Sequence, residues 1–421
     1  MTASAISDVE RGARPTRDEI AHARNESARR RWVAFGLVTP LLAFVAFAFI
    51  APIGSMLYRS VYNDTVVKLI PATLEALTTW DGEGMPDDAV LTSMAIDIKR
   101  LANERTSGKL AEELNRALPA AASTVKSTAR ALRRADDADL AANGAALLIE
   151  ANDSWADPAI WTAVRTTGRA FHDVYFLTSL DLERRDDGSI RPREDVRVYI
   201  PLFLKTLRMA LVISVFTFLL GYPLAYYMAN VSPGQANILM VLVLLPFWTS
   251  FLVRTTAWIA LLQTNGVVNT VLMALGIIGD PLEMMYTEFA TIVSMVHILL
   301  PFMVLPLYAV MRGIDPSFMR AAVSLGAPRL KAFFDVYFPM TLPGLSAGCL
   351  LVFVIAVGYY ITPALMGGTD GQMISNIIAS HMKQANNWEL AAALGTLLLA
   401  IVIALYWVYD LMVGADKIRL S

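Results

Sequence analysis

Apolar residues fall along this chain in six long runs, at 32–56, 209–228, 238–262, 289–311, 345–366 and 390–412. Each is long enough for a helix to cross the hydrocarbon of a bilayer, which takes about 20 residues. The pattern therefore predicts six membrane spans. Between the first two runs it changes character. Residues 58–199 are polar overall, and their apolar positions recur at helical spacing. Pro86-Asp87 looks like a helix start, followed by Leu91, Met94, Ile98 and Leu101 on one face. Leu110, Leu114 and Leu118 make a second stripe, ended by Pro119. Further helices are predicted over 125–134 and 140–150, and another from Asp157-Pro158, with Trp161 and Val164 facing inward. This insert is large enough for a small helical core of its own, with Trp155 and Trp161 expected to pack against the span mouths.

One polar stretch between two runs stands apart. Residues 313–344 read GIDPSFMRAAVSLGAPRLKAFFDVYFPMTLPG. Asp315 is placed to N-cap a helix whose first position is Pro316, where a missing N–H does no harm. Phe318, Ala321, Ala322 and Leu325 share one face, and Gly326 supplies the left-handed residue that stops the helix. Pro328 opens a second helix carrying Leu330, Phe333, Phe334 and Tyr337, which Pro339 is expected to end. A short helix, a sharp turn and a return helix suit a docking element; as pattern alone they equally suit a plain loop.

Composition supports the membrane reading: 56% of residues are hydrophobic, 17% are charged, and mean hydropathy is +0.49. The net charge of -2 hides segregation. Arg11, Arg14, Arg17, Arg24, Arg29, Arg30 and Arg31 precede the first run and predict a cytoplasmic N-terminus. A nucleic-acid-binding arm is the alternative, disfavoured by the adjacent span. Six spans then return the C-terminus, with Lys417 and Arg419, to the cytoplasm. The 313–344 loop, carrying Arg320, Arg329 and Lys331 after Arg312, lies on the same side, and the insert on the opposite one. The single cysteine, Cys349, permits no intrachain disulfide. His22, His172, His297 and His381 have no metal-ligand spacing, so no metal site is expected. Gly108-Lys109 lacks the upstream glycine of a phosphate-binding loop, so no ATP site is expected here either.

Two stretches within the spans carry polar chemistry. Residues 244–258 read LLPFWTSFLVRTTAW. Pro246 frees a backbone carbonyl, and Arg254 either snorkels to headgroups or faces a pore. Residues 357–368 read VGYYITPALMGG. There Thr362-Pro363 should unwind a helix end, and Gly367-Gly368 allow a tight re-entrant path. Tyr359 and Tyr360 either line a path, where they offer cation–π contact, or pack at an interfacial belt. Glu283, Glu288 and Asp370 lie near the outer ends of the spans. His297 falls inside the fourth run, where a hydrogen bond between helices is the default.

The spacing of Arg320-Ala321-Ala322, Gly326 and Val336-Tyr337-Phe338-Pro339 resembles the EAA loop of bacterial ABC-importer permeases. Arg320 replaces the family's acidic residue, Val336 its Ile and Phe338 its Leu. The 244–258 and 357–368 strings are similar to the P-F-W-x-S-x-x-x-R-x-x-A-W and G-x-[FY]-x-T-P-x-x-x-G-G stretches of the polyamine, iron and opine branch. Asn386-Asn387-Trp388 is similar to its N-x-W habit. The resemblance covers the first span and about residues 200–415, not the insert. It implies an all-α integral membrane protein of the type I, MetI-like kind, with six transmembrane helices and a helical extracytoplasmic insert between spans 1 and 2. The implied divisions are a cytoplasmic arm (1–31), span 1 (32–57), a periplasmic insert (58–199), a permease core (200–415) and a cytoplasmic tail (416–421).

By the same resemblance Asp315, Arg320, Ala321, Ala322, Gly326, Phe333 and Pro339 form the loop that seats in an ATPase. Arg254, Trp258, Tyr359, Tyr360, Thr362 and Asp370 are candidates for the translocation path. The implied partners are two ATP-binding subunits, a second permease chain that is related but different, a periplasmic binding protein and membrane lipid, with no nucleic acid. No catalytic residue or cofactor is implied, because ATP is hydrolysed in a separate subunit. The bacterial inner membrane is the implied site. The implied solute is spermidine, putrescine or a relative. Many polyamine members carry an acidic residue where Tyr359 sits, and a dication needs carboxylate partners in a low-dielectric path. A membrane receptor would need a cytoplasmic output domain, for which no segment is long enough. An ion-coupled transporter would need paired acidic residues at midplane and internal repeats, and neither is seen.

Overall fold

The computed structural model describes residues 32–171, 173–184, 189–193 and 197–413. The arginine-rich arm, His172 and the Lys417/Arg419 tail lie outside them. The chain divides into two units, Met1–Tyr58 and Arg59–Ser421. The described part of the first, residues 32–58, lies in one apolar helix, α1 (Trp32–Arg59), with a widened π turn at Ala46–Ile50. That turn closes with the Ala51 N–H on the Ala46 carbonyl, one residue before Pro52. A proline has no N–H to give and its ring strikes the carbonyl four residues back; a wider turn moves that carbonyl aside.

The second unit begins with the insert. Its helices are α2 (Thr65–Leu69), α3 (Pro71–Ala76), α4 (Asp88–Asn103), α5 (Ser107–Ala117), α6 (Ala121–Leu132), α7 (Asp137–Ala151), α8 (Pro158–Thr167) and α9 (Val174–Ser179). The expected stripes face inward: Leu91, Met94, Ile98, Leu101, Leu110 and Leu114 are all buried. Asp157 caps α8 by accepting the Ala159 N–H at 2.9 Å. Trp155 and Trp161 do not reach the span mouths. They are fully buried in the insert's own core, 5.5 Å apart, because their indole N–H groups find partners there: Thr128 Oγ1 at 2.8 Å and the Trp155 carbonyl at 2.9 Å. Buried Asp97 accepts from the Thr73 N–H (3.0 Å), the Thr73 hydroxyl (2.8 Å) and Arg100 (3.0 Å), so its burial leaves no bare charge.

A two-stranded antiparallel hairpin, β1 (Leu182–Arg184) with β2 (Ile190–Pro192), leads into the bundle. The helices there are α10 (Tyr199–Asn230), α11 (Pro233–Trp248), α12 (Phe251–Leu262), α13 (Val267–Ala274), α14 (Glu288–Arg312), α15 (Ser317–Ser324), α16 (Arg329–Gly358), α17 (Ile361–Met366), α18 (Ile374–Lys383) and α19 (Trp388–Val413). Helix α14 is the centre, packed between α10 and α16 around Met295, Leu299 and Met303. The insert is joined to this bundle at the start of α10 and α19. Tyr175 packs with Phe203, Ile374, Leu390 and Leu394. Arg116 lies 2.7 Å from Glu113 and 3.6 Å from Glu389.

Three further sequence expectations change. The 238–262 run is not one helix: it breaks at Thr249 and Ser250, whose ψ values of 143° and 138° are extended. Among the described residues the six stretches long and apolar enough to cross a membrane therefore include Phe251–Ala274, itself turned at 263–266, while Pro233–Trp248 is shorter. Second, Pro339 does not end the return helix. Residues Phe333–Tyr337 form a π turn closed by the Phe338 N–H on the Phe333 carbonyl, and α16 runs on, by the same accommodation as before Pro52. Third, the 345–366 run breaks at Tyr359-Tyr360, upstream of Thr362-Pro363. Pro363 cannot donate to the Tyr359 carbonyl, which takes the Ser375 hydroxyl at 2.9 Å instead, while the Tyr360 carbonyl takes the Asn376 amide at 2.8 Å.

Candidate docking surface and translocation face

Asp315 accepts the Ser317 N–H at 2.7 Å, the cap that the sequence predicts. That bond holds its carboxyl below the usual carboxylate range. At the other end of α15 Gly326 has φ +92°. The Gly326 N–H reaches the Val323 carbonyl at 3.0 Å and the Ala327 N–H the Ala322 carbonyl at 3.1 Å, a Schellman closure. Beyond the turn, Phe333 and Tyr337 stack 5.6 Å apart and meet Tyr226 of α10 edge-on. The opposite side is bare. Phe318 is 50% exposed, Leu325 89%, Leu330 75% and Phe334 60%, more apolar surface than a soluble loop leaves in water. Between α15, the start of α16 and α10 lies a groove of about 830 Å³, lined by Tyr222, Tyr226, Met319, Arg320, Leu330 and Phe333. Arg320 and Ala321 are exposed, Ala322 and Phe333 half-buried. Pro339 is exposed but sits within α16, outside the groove lining.

The path candidates fall into separate places. Arg254 turns one arm back to its own segment. Its Nη1 donates to the Pro246 carbonyl at 2.6 Å, across the break between α11 and α12. One turn on, the Trp258 indole N–H donates to His297 Nδ1 of α14 at 3.1 Å, the interhelical bond expected for His297. Tyr360 carries Lys383 over its ring at 4.9 Å and against its hydroxyl at 3.1 Å. Thr362 is buried, its hydroxyl without a partner among the described residues. Asp370 pairs with Lys205 (3.7 Å), and Arg208 pairs with Glu288. At Gly368, φ is +54° and a Cβ would stand 2.7 Å from the Tyr286 carbonyl, so the tight passage requires glycine. The structure thus joins Arg254, Trp258 and His297 in one row, and places Tyr360 and Asp370 elsewhere.

The family profile described as "Binding-protein-dependent transport system inner membrane component" matches residues 209–414. The spermidine/putrescine transport system permease protein PotB of Haemophilus influenzae is 36% identical over 213 residues, 50% of this chain and 74% of that one. This chain belongs to that permease family. PotB of Escherichia coli K12 is likewise 36% identical over 213 residues, 50% of this chain and 78% of the relative. The inner membrane ABC transporter permease YdcU of Escherichia coli K12 is 33% identical over 231 residues, 51% and 72%. A solved bacterial ABC transporter for alginate aligns at TM-score 0.40 and 19% identity, covering 54% of the permease and 86% of that chain. The permease is thus a multi-pass inner-membrane subunit of an ABC importer, a transporter and not an enzyme, of a family that works with a substrate-binding protein. Its insert lies outside the profile match.

Sequence reading missed Asp181. Its Oδ1 accepts the Val198 and Tyr199 N–H groups at 3.1 and 3.0 Å, and its Oδ2 the Ile200 N–H at 2.7 Å. It caps α10 from 18 residues away in the chain, and no local motif marks such a cap. Lys383 was missed as well, because its ring partner is distant in sequence.

Proposed function

We propose that this permease lines the route of a small organic amine delivered by a periplasmic binding protein, and that residues 313–344 are its ATPase contact. The observation that carries the reading is the bare apolar helix–turn–helix of α15 and the first turns of α16, beside its groove, in a chain of this family. Two ATP-binding subunits and a second permease chain complete the importer, and closure of the ATPases draws the docking loops together so that the spans open outward. Spermidine and putrescine, the solutes named for the PotB relatives, head the solute class; Tyr359, where a carboxylate is expected for a polyamine, widens it to related amines. On this reading the N-terminus, the 313–344 loop and the C-terminus are cytoplasmic and the insert is periplasmic, part of the binding protein's landing surface.

The test is accessibility in a Cys349→Ser background. Ser123→Cys on the insert should react with a membrane-impermeant maleimide in intact cells, and Ser317→Cys only in inverted vesicles. Labelling of Ser317→Cys from outside overturns the docking assignment.

A further inference from the structure

Arg254, Trp258 and His297 form a row of a kind a lipid-facing surface does not carry. Arg254 and Trp258 are one turn apart on α12, and Trp258 is bonded to His297 on α14. At about 1.5 Å per residue, His297 lies about 14 Å from the Glu288 end of α14 and about 22 Å from its Arg312 end. It is well inside the hydrocarbon depth. Yet its side chain is exposed on this chain, and Arg254 and Trp258 are only half-buried. An imidazole and a guanidinium at that depth face a water-filled cavity or another protein surface, not acyl chains.

The chemistry of the row is one-sided. An indole N–H only donates, so the His297 nitrogen that meets Trp258 is an acceptor, and the neutral ring carries its proton on the other nitrogen. Arg254 has donors only; one arm is spent on the Pro246 carbonyl, and its Nε–H is buried without a partner among the described residues. Thr362 adds an unpartnered hydroxyl on α17, which packs against α12. Among the described residues no Asp or Glu lies within α11, α12 or α17, and those of the two longer helices beside them, Asp335 of α16 and Glu288 of α14, stand near the starts of their helices. The face is therefore built of hydrogen-bond donors and one positive charge.

We propose that this row is a recognition site for an acceptor oxygen on the transported solute: an amine that also bears a carboxylate or phosphonate. The proposal rests on the permease reading and reorders its solute class, placing amines with an acidic end ahead of the diamine named for the PotB relatives. An all-ammonium solute offers donors only and meets no complement on this face, whereas an oxyanion takes the His297 N–H and the free side of Arg254 together. Trp258 is the positioning residue, because it fixes which ring nitrogen of His297 is free to donate.

The pair 4-aminobutyrate and 1,4-diaminobutane tests this, since the two share a four-carbon chain and one ammonium and differ only at the other end. Binding is measured calorimetrically on the complete importer in nanodiscs, without binding protein. The expected result is tighter binding of 4-aminobutyrate. His297→Leu should weaken it by about tenfold to a hundredfold, the range for a lost hydrogen bond to a charged group. His297→Gln, which keeps a donor, should restore most of it, and neither change should alter 1,4-diaminobutane. Equal affinity for the two probes, preference for the diamine, or binding of neither overturns the proposal. So does loss of subunit assembly in both His297 variants, which makes the row a packing surface. Failure of the permease reading looks different: the purified complex would show no ATP-driven uptake of any solute.

Discussion

Trp155 and Trp161 of the insert are fully buried with both indole N–H groups paired inside, while Trp248 and Trp407 of the bundle stand 71% and 63% exposed. The two regions are both helical, yet they hide opposite things. The insert hides apolar side chains from water and pairs the polar groups it buries, as at Asp97. The bundle turns Leu, Val and Trp outward and uses internal hydroxyls, amides and Arg254 to satisfy carbonyls freed at helix breaks. An exposed tryptophan means nothing unusual in a span, whereas an exposed histidine there identifies a face; in the insert those meanings are reversed.

The largest expected effect separates the regions outright. Trp161→Ala should cost the insert about 3–5 kcal/mol and open it to trypsin, while the bundle still integrates in the membrane and extracts as a folded species. An insert that stays protease-resistant would mean it has no core of its own.

At the other end of the bundle, Gly326→Val places a β-branched residue at φ +92°, with strain on the order of 1–2 kcal/mol. No atom lies within 4 Å of the added Cβ, so the damage is to backbone geometry alone. Uptake should fall at least severalfold while the protein still inserts; normal uptake per ATP hydrolysed would remove the role given to the turn.

Asp181→Ala takes the acceptor from three N–H groups at the start of α10 and should lower thermal stability by about 1–2 kcal/mol. Protection of the Tyr199 and Ile200 amides from hydrogen exchange should drop most. Unchanged protection there would show that the cap contributes nothing.

The smallest effect concerns pH. Glu113 is held above the usual carboxylate range chiefly by burial, against the pull of Arg116. Its folded form therefore binds a proton more readily than its unfolded form, and stability falls as pH rises from the ordinary carboxylate value through the raised one. Glu113→Gln should flatten that part of the insert's melting profile. Tyr175, pushed up to about 12 by burial, stays neutral throughout. A profile of unchanged slope would remove Glu113 as the titrating group.

Much of this is legible in the amino-acid sequence. The α4 and α5 stripes, the Asp157 cap, the Asp315 cap and the Gly326 stop depend on neighbours within one or two turns, and sequence spacing reports such neighbours directly. The failures have a common physical origin. The breaks at Thr249-Ser250 and Tyr359-Tyr360 persist because Arg254, Ser375 and Asn376 supply hydrogen bonds from elsewhere. The helix survives Pro339 because a π turn makes room upstream. Trp155 and Trp161 were misplaced because burial depth is set by which helices pack, not by position relative to a span. Within the candidate site, Arg254 and Trp258 were visible as a string, but their union with His297 is a product of the fold.

Asp181 leaves the ribosome before the helix that it caps. The acceptor for the first turn of α10 is already made when Tyr199 emerges, and the intervening stretch is short, so closing it costs little chain entropy. The Arg116–Glu389 contact is the reverse case: its second partner appears only when the last span begins. The insert is thus fastened to the bundle by one tie that can form as soon as α10 begins and another that must wait until Glu389 is made.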